Sequence, residues 1–170
     1  MRAARPGGGC AVDGYRPSET LTVRKRLQPF VILLAEDEPA DARLVIFALD
    51  QNRVEADVRH LVDGREALAY LRREGERFAT AVRPDLILLD LNMPGMDGRE
   101  FLVAIKQDPA LCAIPVVVVS TSEVDRDVRD IYRLGASGYL AKPLDVDEFI
   151  SGIRLLTDYW MSLVKLPERQ

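Results

Sequence analysis

Five positions in this chain carry side chains suited to acid–base or phosphoryl chemistry, and each follows a short, mainly apolar run. Glu36 and Asp37 follow FVILLA, Asp90 follows LILL, Ser120 follows VVVV, and Lys142 follows GYLA. Apolar residues bury a strand, so the polar residue at its end has a fixed place. Brought together, the three carboxylates repel and raise one another's pKa unless a positive charge intervenes. A hard divalent cation with oxygen ligands relieves that repulsion, and an open Mg²⁺ site that keeps several waters suits one or two carboxylates. Lys142 adds a second positive charge and Ser120 a hydroxyl donor. Such a set supports phosphoryl transfer to Asp90. Taken singly, each residue has a plainer role. Asp90 could cap a turn, Glu36 and Asp37 could cap a helix, Ser120 could end a strand, and Lys142 could sit at a bend before Pro143. The joint arrangement is what favours chemistry.

Elements that would position these residues are legible along the chain. FVILLAE reads as a strand covered on both faces. PADARLVIFALDQ follows as a helix, with Pro39 in its first turn and Leu44, Val45, Ala48 and Leu49 on one face. EADVRHLV alternates as a second, more exposed strand. Asp63 and Glu66 open the next helix at capping-box spacing, with Ala67, Leu68 and Leu71 inward. PDLILLD is a third strand, and Asp97 with Glu100 repeats the helix start before Phe101, Leu102 and Ile105. IPVVVVS is a fourth strand. A polar helix follows with Val124, Val128 and Ile131 inward and Gly135 as its stop. SGYLAK is a short fifth strand, and DVDEFISGIRLLTDYWMSLV a long closing helix. Five strands alternating with five helices predict a parallel sheet wound on both faces. In such α/β sheets ligands sit outside the carboxyl ends of the strands. Every candidate above falls on that one edge.

Composition narrows the functional classes. The chain has 170 residues, 48% hydrophobic, with 23 basic against 27 acidic residues and a formal net charge of −4. That length predicts one domain with a sizeable core. The acidic balance gives no general attraction to nucleic acid or anionic lipid, and no basic recognition element is visible. No apolar run is long enough to span a bilayer. The start, MRAARPGGGCAVDGYRP, lacks the apolar segment of a secretory signal. Residues 1–29, rich in Gly, Arg and Pro, read as a flexible tail, residues 30–164 as the folded domain, and residues 165–170 as a second tail. Cys10 and Cys112 suggest no disulfide framework and fit a reducing cytoplasm. The single histidine, His60, excludes a multi-histidine metal site and is expected on an exposed strand.

AEDEP, LLDLNMPGMDG, PVVVVSTS and GASGYLAKP, in this order and spacing, resemble the receiver domain of two-component response regulators. The resemblance runs from about Phe30 to Leu163. It implies a doubly wound (βα)5 flavodoxin-like fold with a five-stranded parallel sheet in the order 2-1-3-4-5. It also implies that Asp90 accepts a phosphoryl group from a kinase phosphohistidine, and that Mg²⁺ is held by Asp37, by Asp90, by the Asn92 backbone carbonyl and by Glu36 through water. Ser120 would bond a phosphoryl oxygen, Lys142 would pair with it, and Tyr139 would be the aromatic switch that turns inward as Ser120 shifts. The Lys142–Pro143 bond is cis in many members. Glu36 stands where Asp is common and Ser120 where Thr is frequent, and neither change removes the needed group. Ser122 lies where side chains affect the dephosphorylation rate.

Only KLPERQ follows the last helix, so the resemblance implies a stand-alone receiver that signals by protein contact. The segments YLRREGERFATAVRPD, NMPGMDGREFLVAIKQDPAL and DYWMSLVKLP resemble the small regulators paired with bacterial and cyanobacterial phytochrome kinases, which makes a bacteriophytochrome kinase the expected partner. Phe149, Ile153, Leu156, Trp160 and Leu163 recur at helical spacing. The later ones outrun a short sheet, so Tyr159, Trp160 and Leu163 are candidates for a homodimer face; relatives pair through the fourth helix, fifth strand and fifth helix. A core extension is the plainer use of Trp160. Two other functions compete. An aspartyl-phosphate phosphatase would be a true enzyme, but usually carries a second Asp two residues after its nucleophile, where this chain has Asn92. A non-phosphorylated pseudo-receiver scaffold would not need the complete set of site residues. A nucleotide-binding module would need a Gly-rich loop after the first strand, and AEDEPAD has none.

Overall fold

Alternation of buried side chains across the central strands sets the architecture. The computed structural model describes residues 29–121 and 125–167. The readings made for the N-terminal tail with Cys10, for Ser122 and Val124, and for the last three residues lie outside the described residues. Strands β1 (Phe30–Ala35), β2 (Ala56–Leu61), β3 (Leu86–Leu89), β4 (Val116–Ser120) and β5 (Gly138–Ala141) form one parallel sheet in the order β2-β1-β3-β4-β5. β1, β3 and β4 are buried along their whole length. That is the expected state of parallel strands covered on both faces.

Five main helices cover the sheet: α1 (Pro39–Gln51), α2 (Gly64–Arg72), α3 (Gly98–Gln107), α4 (Asp125–Arg133) and α5 (Val146–Asp158). Alternate strand residues feed two cores. Leu33, Ile87, Leu89 and Val118 pack with Ala67 of α2, Phe101 and Ile105 of α3, and Ile131 of α4. Ile32, Leu34, Leu88 and Val119 pack with Val45 and Leu49 of α1 and with Phe149 and Ile153 of α5. The predicted order and the two-sided winding are both present.

Helix starts follow the predicted chemistry with one difference. Asp97 and Glu100 form a complete capping box on α3. On α2, Asp63 accepts from the Glu66 N–H at 2.8 Å, but Glu66 turns its own carboxylate to the Val62 N–H and to Arg77. Glu38 caps α1 by accepting from the Ala40 N–H, with Pro39 at the first helical position. Gly135, at φ 98°, ends α4.

Three local features depart from expectation. A four-residue helix, Gly75–Phe78, interrupts the segment after α2, where Arg73 at φ 56° has stopped that helix. Phe78 then packs edge-on against Tyr70 at 5.6 Å. The long closing helix is α-helical only to Asp158, and Tyr159–Leu163 continues as a π-helix. Thr157, which donates its hydroxyl back to the Ile153 carbonyl at 2.9 Å, sits just before that change. Finally, the described residues contain no cis peptide bond, so Lys142–Pro143 is trans, against the expectation. Among the described residues no helix is long and apolar enough to cross a membrane.

Candidate functional site

Strand register puts the predicted residues on one edge. Ala35 aligns with Leu89, Leu89 with Val118, and Ser120 with Ala141, so the residues that follow β1, β3 and β5 emerge beside the end of β4. Backbone bonds hold the exits of the strands. The Glu36 N–H donates to the Leu61 carbonyl at 3.0 Å, Asp90 to Ala35 at 2.9 Å, and Lys142 to Ser120 at 2.8 Å. Side-chain positions at this edge therefore inherit the rigidity of the sheet.

Carboxylate oxygens of Glu36, Asp37 and Asp90 lie within 4.8 Å of one another. Glu36 and Asp90 are buried. Lys142 supplies the positive charge: its ammonium donates to Asp41 at 2.6 Å, to Glu36 at 2.7 Å and to Asp90 Oδ1 at 3.2 Å. The other Asp90 oxygen accepts from the Asn92 N–H at 2.6 Å. Glu36 Oε1 accepts from the Glu38 N–H at 3.1 Å.

The electrostatics follow from burial and pairing. Burial raises the Glu36 carboxyl above its ordinary value, the nearby Asp90 charge adds to that, and Lys142 opposes both. Burial alone would lower the Lys142 ammonium. Its bonds to Asp41 and Glu36 and the charges of Asp90 and Glu36 outweigh that and raise it well above 10.5. The lysine is therefore cationic at neutral pH. One such charge does not neutralise four surrounding carboxylates. Three oxygen donors this close, still short of positive charge, fit a divalent cation with hard oxygen ligands.

Ser120 is fully buried, and among the described residues its Oγ is the buried side-chain oxygen with no hydrogen-bond partner. A buried hydroxyl without a partner costs stability. Ser120→Ala is therefore expected to leave thermal stability unchanged or to raise it by up to about 1 kcal/mol. A calorimetric loss larger than that would mean the hydroxyl is bonded in the resting protein. Tyr139 is half-buried against the core on the α2, α3 and α4 side, paired in register with Val118. Asn92 is exposed.

Sequence reasoning missed three contributors. Asp41 takes the shortest Lys142 bond, yet in the sequence it reads only as an acidic residue in the first turn of α1. His60 is exposed as predicted, but its Nε2 lies 2.7 Å from the Glu36 carbonyl oxygen and so braces the acidic strand end. Gly98 is a matter of space: a Cβ there would stand 2.3 Å from the Asp90 carbonyl oxygen and 2.8 Å from the Leu91 Cα. The run MDG is the visible trace of that approach, and only as a turn signal.

The dimer candidates divide. Tyr159 and Leu163 are 49% and 63% exposed, whereas Trp160 is half-buried and packs on the core beneath α1 and α5. The indole thus takes up the core extension that was its plainer use.

Comparison with known proteins identifies the family. Response regulator Rcp1 of Synechocystis sp. is 42% identical over 139 residues, 82% of this chain and 94% of Rcp1. The crystal structure of the phosphorylated cyanobacterial phytochrome response regulator RcpA superposes with a TM-score of 0.78 at 45% identity, covering 83% of this chain and 100% of RcpA. The Mn²⁺-bound form of Rcp1 superposes with a TM-score of 0.76 at 41% identity, over 82% of this chain and 100% of that one. The response regulator receiver domain profile matches residues 32–154, the span from β1 into α5 that carries every strand-end residue described above. On that match the chain belongs to the response regulator receiver domain family, and it resembles the family's phytochrome-associated members.

Proposed function

We propose that this chain is the phosphoacceptor of a two-component system, taking a phosphoryl group on Asp90 from the phosphohistidine of a sensor histidine kinase of the phytochrome class. The observation that carries the reading is the buried Asp90 carboxylate at a strand end, 3.2 Å from the Lys142 ammonium and grouped with Glu36 and Asp37. In the transfer an Asp90 oxygen attacks phosphorus, the P–N bond breaks, and its electron pair stays on the imidazole. An acyl phosphate forms on Asp90. The product is a labelled signalling protein rather than a turned-over substrate, and the position two residues after Asp90 is Asn92.

Each side chain has a stated task. Asp37, Asp90 and the Asn92 carbonyl would hold Mg²⁺, with Glu36 acting through water. That ion would neutralise the charge gathered on the phosphoryl oxygens. Lys142 pairs with a phosphoryl oxygen, and the Asn92 N–H keeps the Asp90 carboxylate oriented. The Ser120 hydroxyl, unpartnered at rest, donates to a phosphoryl oxygen, and its movement lets Tyr139 turn inward. Ser120→Ala should slow phosphoryl acceptance about tenfold or more, since a buried donor aimed at developing charge is lost. Output is contact with another protein. Homodimers through α4, β5 and α5, bordered by the exposed Tyr159 and Leu163, are the expected form.

The likeness to RcpA, a phytochrome response regulator, and to the Mn²⁺-bound form of Rcp1 supports the kinase class and the divalent cation. The test is phosphotransfer from an autophosphorylated bacterial phytochrome kinase. Radiolabel should pass to the wild-type chain in Mg²⁺ and not to Asp90→Asn. Label on Asp90→Asn, or none on the wild type with any such kinase, would contradict the reading.

A further inference from the structure

Lys142 makes its shortest contact, 2.6 Å, with a residue outside the metal-capable trio: Asp41. Glu36, Asp37 and Asp90 end strands, while Asp41 stands in the first turn of α1 and is partly exposed. An ammonium has three N–H donors. Here all three are used, on Asp41, Glu36 and Asp90 at 2.6, 2.7 and 3.2 Å. Two of those partners are carboxylates that a divalent cation would also claim.

We infer that Asp41 is a positioning residue that keeps its bond to Lys142 when a divalent cation claims oxygens of Glu36 and Asp90, so that the lysine can yield those oxygens and still remain at the site. The inference rests on the proposed function and adds a residue to it. A cation held directly by Asp90 and through water by Glu36 would repel the lysine and compete with it for both acceptors. Asp41 lies outside that competition and keeps one strong, charge-assisted bond to the ammonium. Without its carboxylate, the lysine falls back wholly on Glu36 and Asp90 and competes with the cation for the same oxygens. The effect therefore passes through Lys142. A simple long-range attraction between Asp41 and the cation would act whether or not the lysine is present.

That difference sets the experiment. Mg²⁺ affinity is measured by isothermal titration calorimetry on the full-length protein for wild type, Asp41→Asn, Asp41→Glu, Lys142→Met, and the Asp41→Asn, Lys142→Met double variant. Asp41→Asn should raise the Mg²⁺ Kd about fivefold, the size expected when one part-buried charge partner is removed. Asp41→Glu should recover most of the affinity. In the Lys142→Met background, the Asp41→Asn change should shift Kd less than about twofold. A wild-type Kd in Asp41→Asn, or a fivefold change that persists without Lys142, would overturn the inference and leave the proposed function standing. Failure of the wild type to bind Mg²⁺ would overturn both. Circular dichroism on each variant reports folding, and Asp41→Glu keeps the question answerable if Asp41→Asn is unstable.

Discussion

Gly98→Ala is expected to destabilise the protein by about 3 kcal/mol, lowering the midpoint of thermal unfolding by about 10 °C. The added Cβ would meet the Asp90 carbonyl oxygen at 2.3 Å and the Leu91 Cα at 2.8 Å, both backbone atoms that no rotamer change can move aside. Gly98 also donates its N–H to the Leu91 carbonyl at 3.0 Å, tying the start of α3 to the turn after β3. Relief of the clash must shift either α3, which carries the buried Phe101, Leu102 and Ile105, or the acceptor turn itself. Loss of phosphoryl acceptance should accompany the loss of stability. Gly95→Ala is the informative contrast. Gly95 has φ 80° and nothing within 4 Å of a built Cβ, so its cost is conformational and about 1 kcal/mol. Equal melting shifts in the two variants would contradict the spatial account.

Lys142→Met is expected to cost about 3 kcal/mol in metal-free buffer at pH 7, because it leaves buried Glu36 and Asp90 without their cation. The variant should also acquire a distinctive pH dependence. Burial already raises the Glu36 carboxyl above 4.5, and Lys142, with a smaller contribution from the Glu38 N–H, opposes that rise. Removing the lysine raises it further. A carboxyl raised in the folded state destabilises fully above its folded pKa, and that cost is relieved as pH falls toward 4.5. The Lys142→Met protein should therefore gain stability relative to wild type as pH is lowered from 7 toward 5. Wild type retains the lysine, whose own raised pKa contributes stability below 10.5 that is lost as pH rises through its folded value. Denaturant titrations at several pH values in chelator check both the loss and its recovery. A stability gap that stays constant between pH 7 and 5 would contradict this account.

The winding of the sheet and most of the site were legible because they depend on local patterns. A continuous apolar run ending in a polar residue states both a buried strand and a fixed side chain at its end. Asp90, Glu36, Asp37, Ser120 and Lys142 share that form, and parallel winding sends them to one edge. Asp41 was hidden because its meeting with Lys142 joins residues 101 positions apart, and the first turn of α1 shows only an acidic residue suited to a helix N-terminus. Trp160 could be read two ways because its helical spacing does not reveal how far the core beneath α1 and α5 extends. The change to a π-helix at Tyr159 has no counterpart in side-chain periodicity, since Leu156, Trp160 and Leu163 continue an α-helical spacing through it. The trans Lys142–Pro143 bond departs from a property carried over from relatives rather than read from residues.

Intact mass spectrometry after incubation with acetyl phosphate and Mg²⁺ tests the central claim most directly, because it needs no kinase. The wild-type chain should gain the mass of one phosphoryl group, the gain should vanish when Mg²⁺ is chelated, and Asp90→Asn should gain nothing. A phosphoryl group carried by Asp90→Asn, or a wild-type gain indifferent to Mg²⁺, would contradict the assignment of Asp90 as the acceptor in a metal-assisted site.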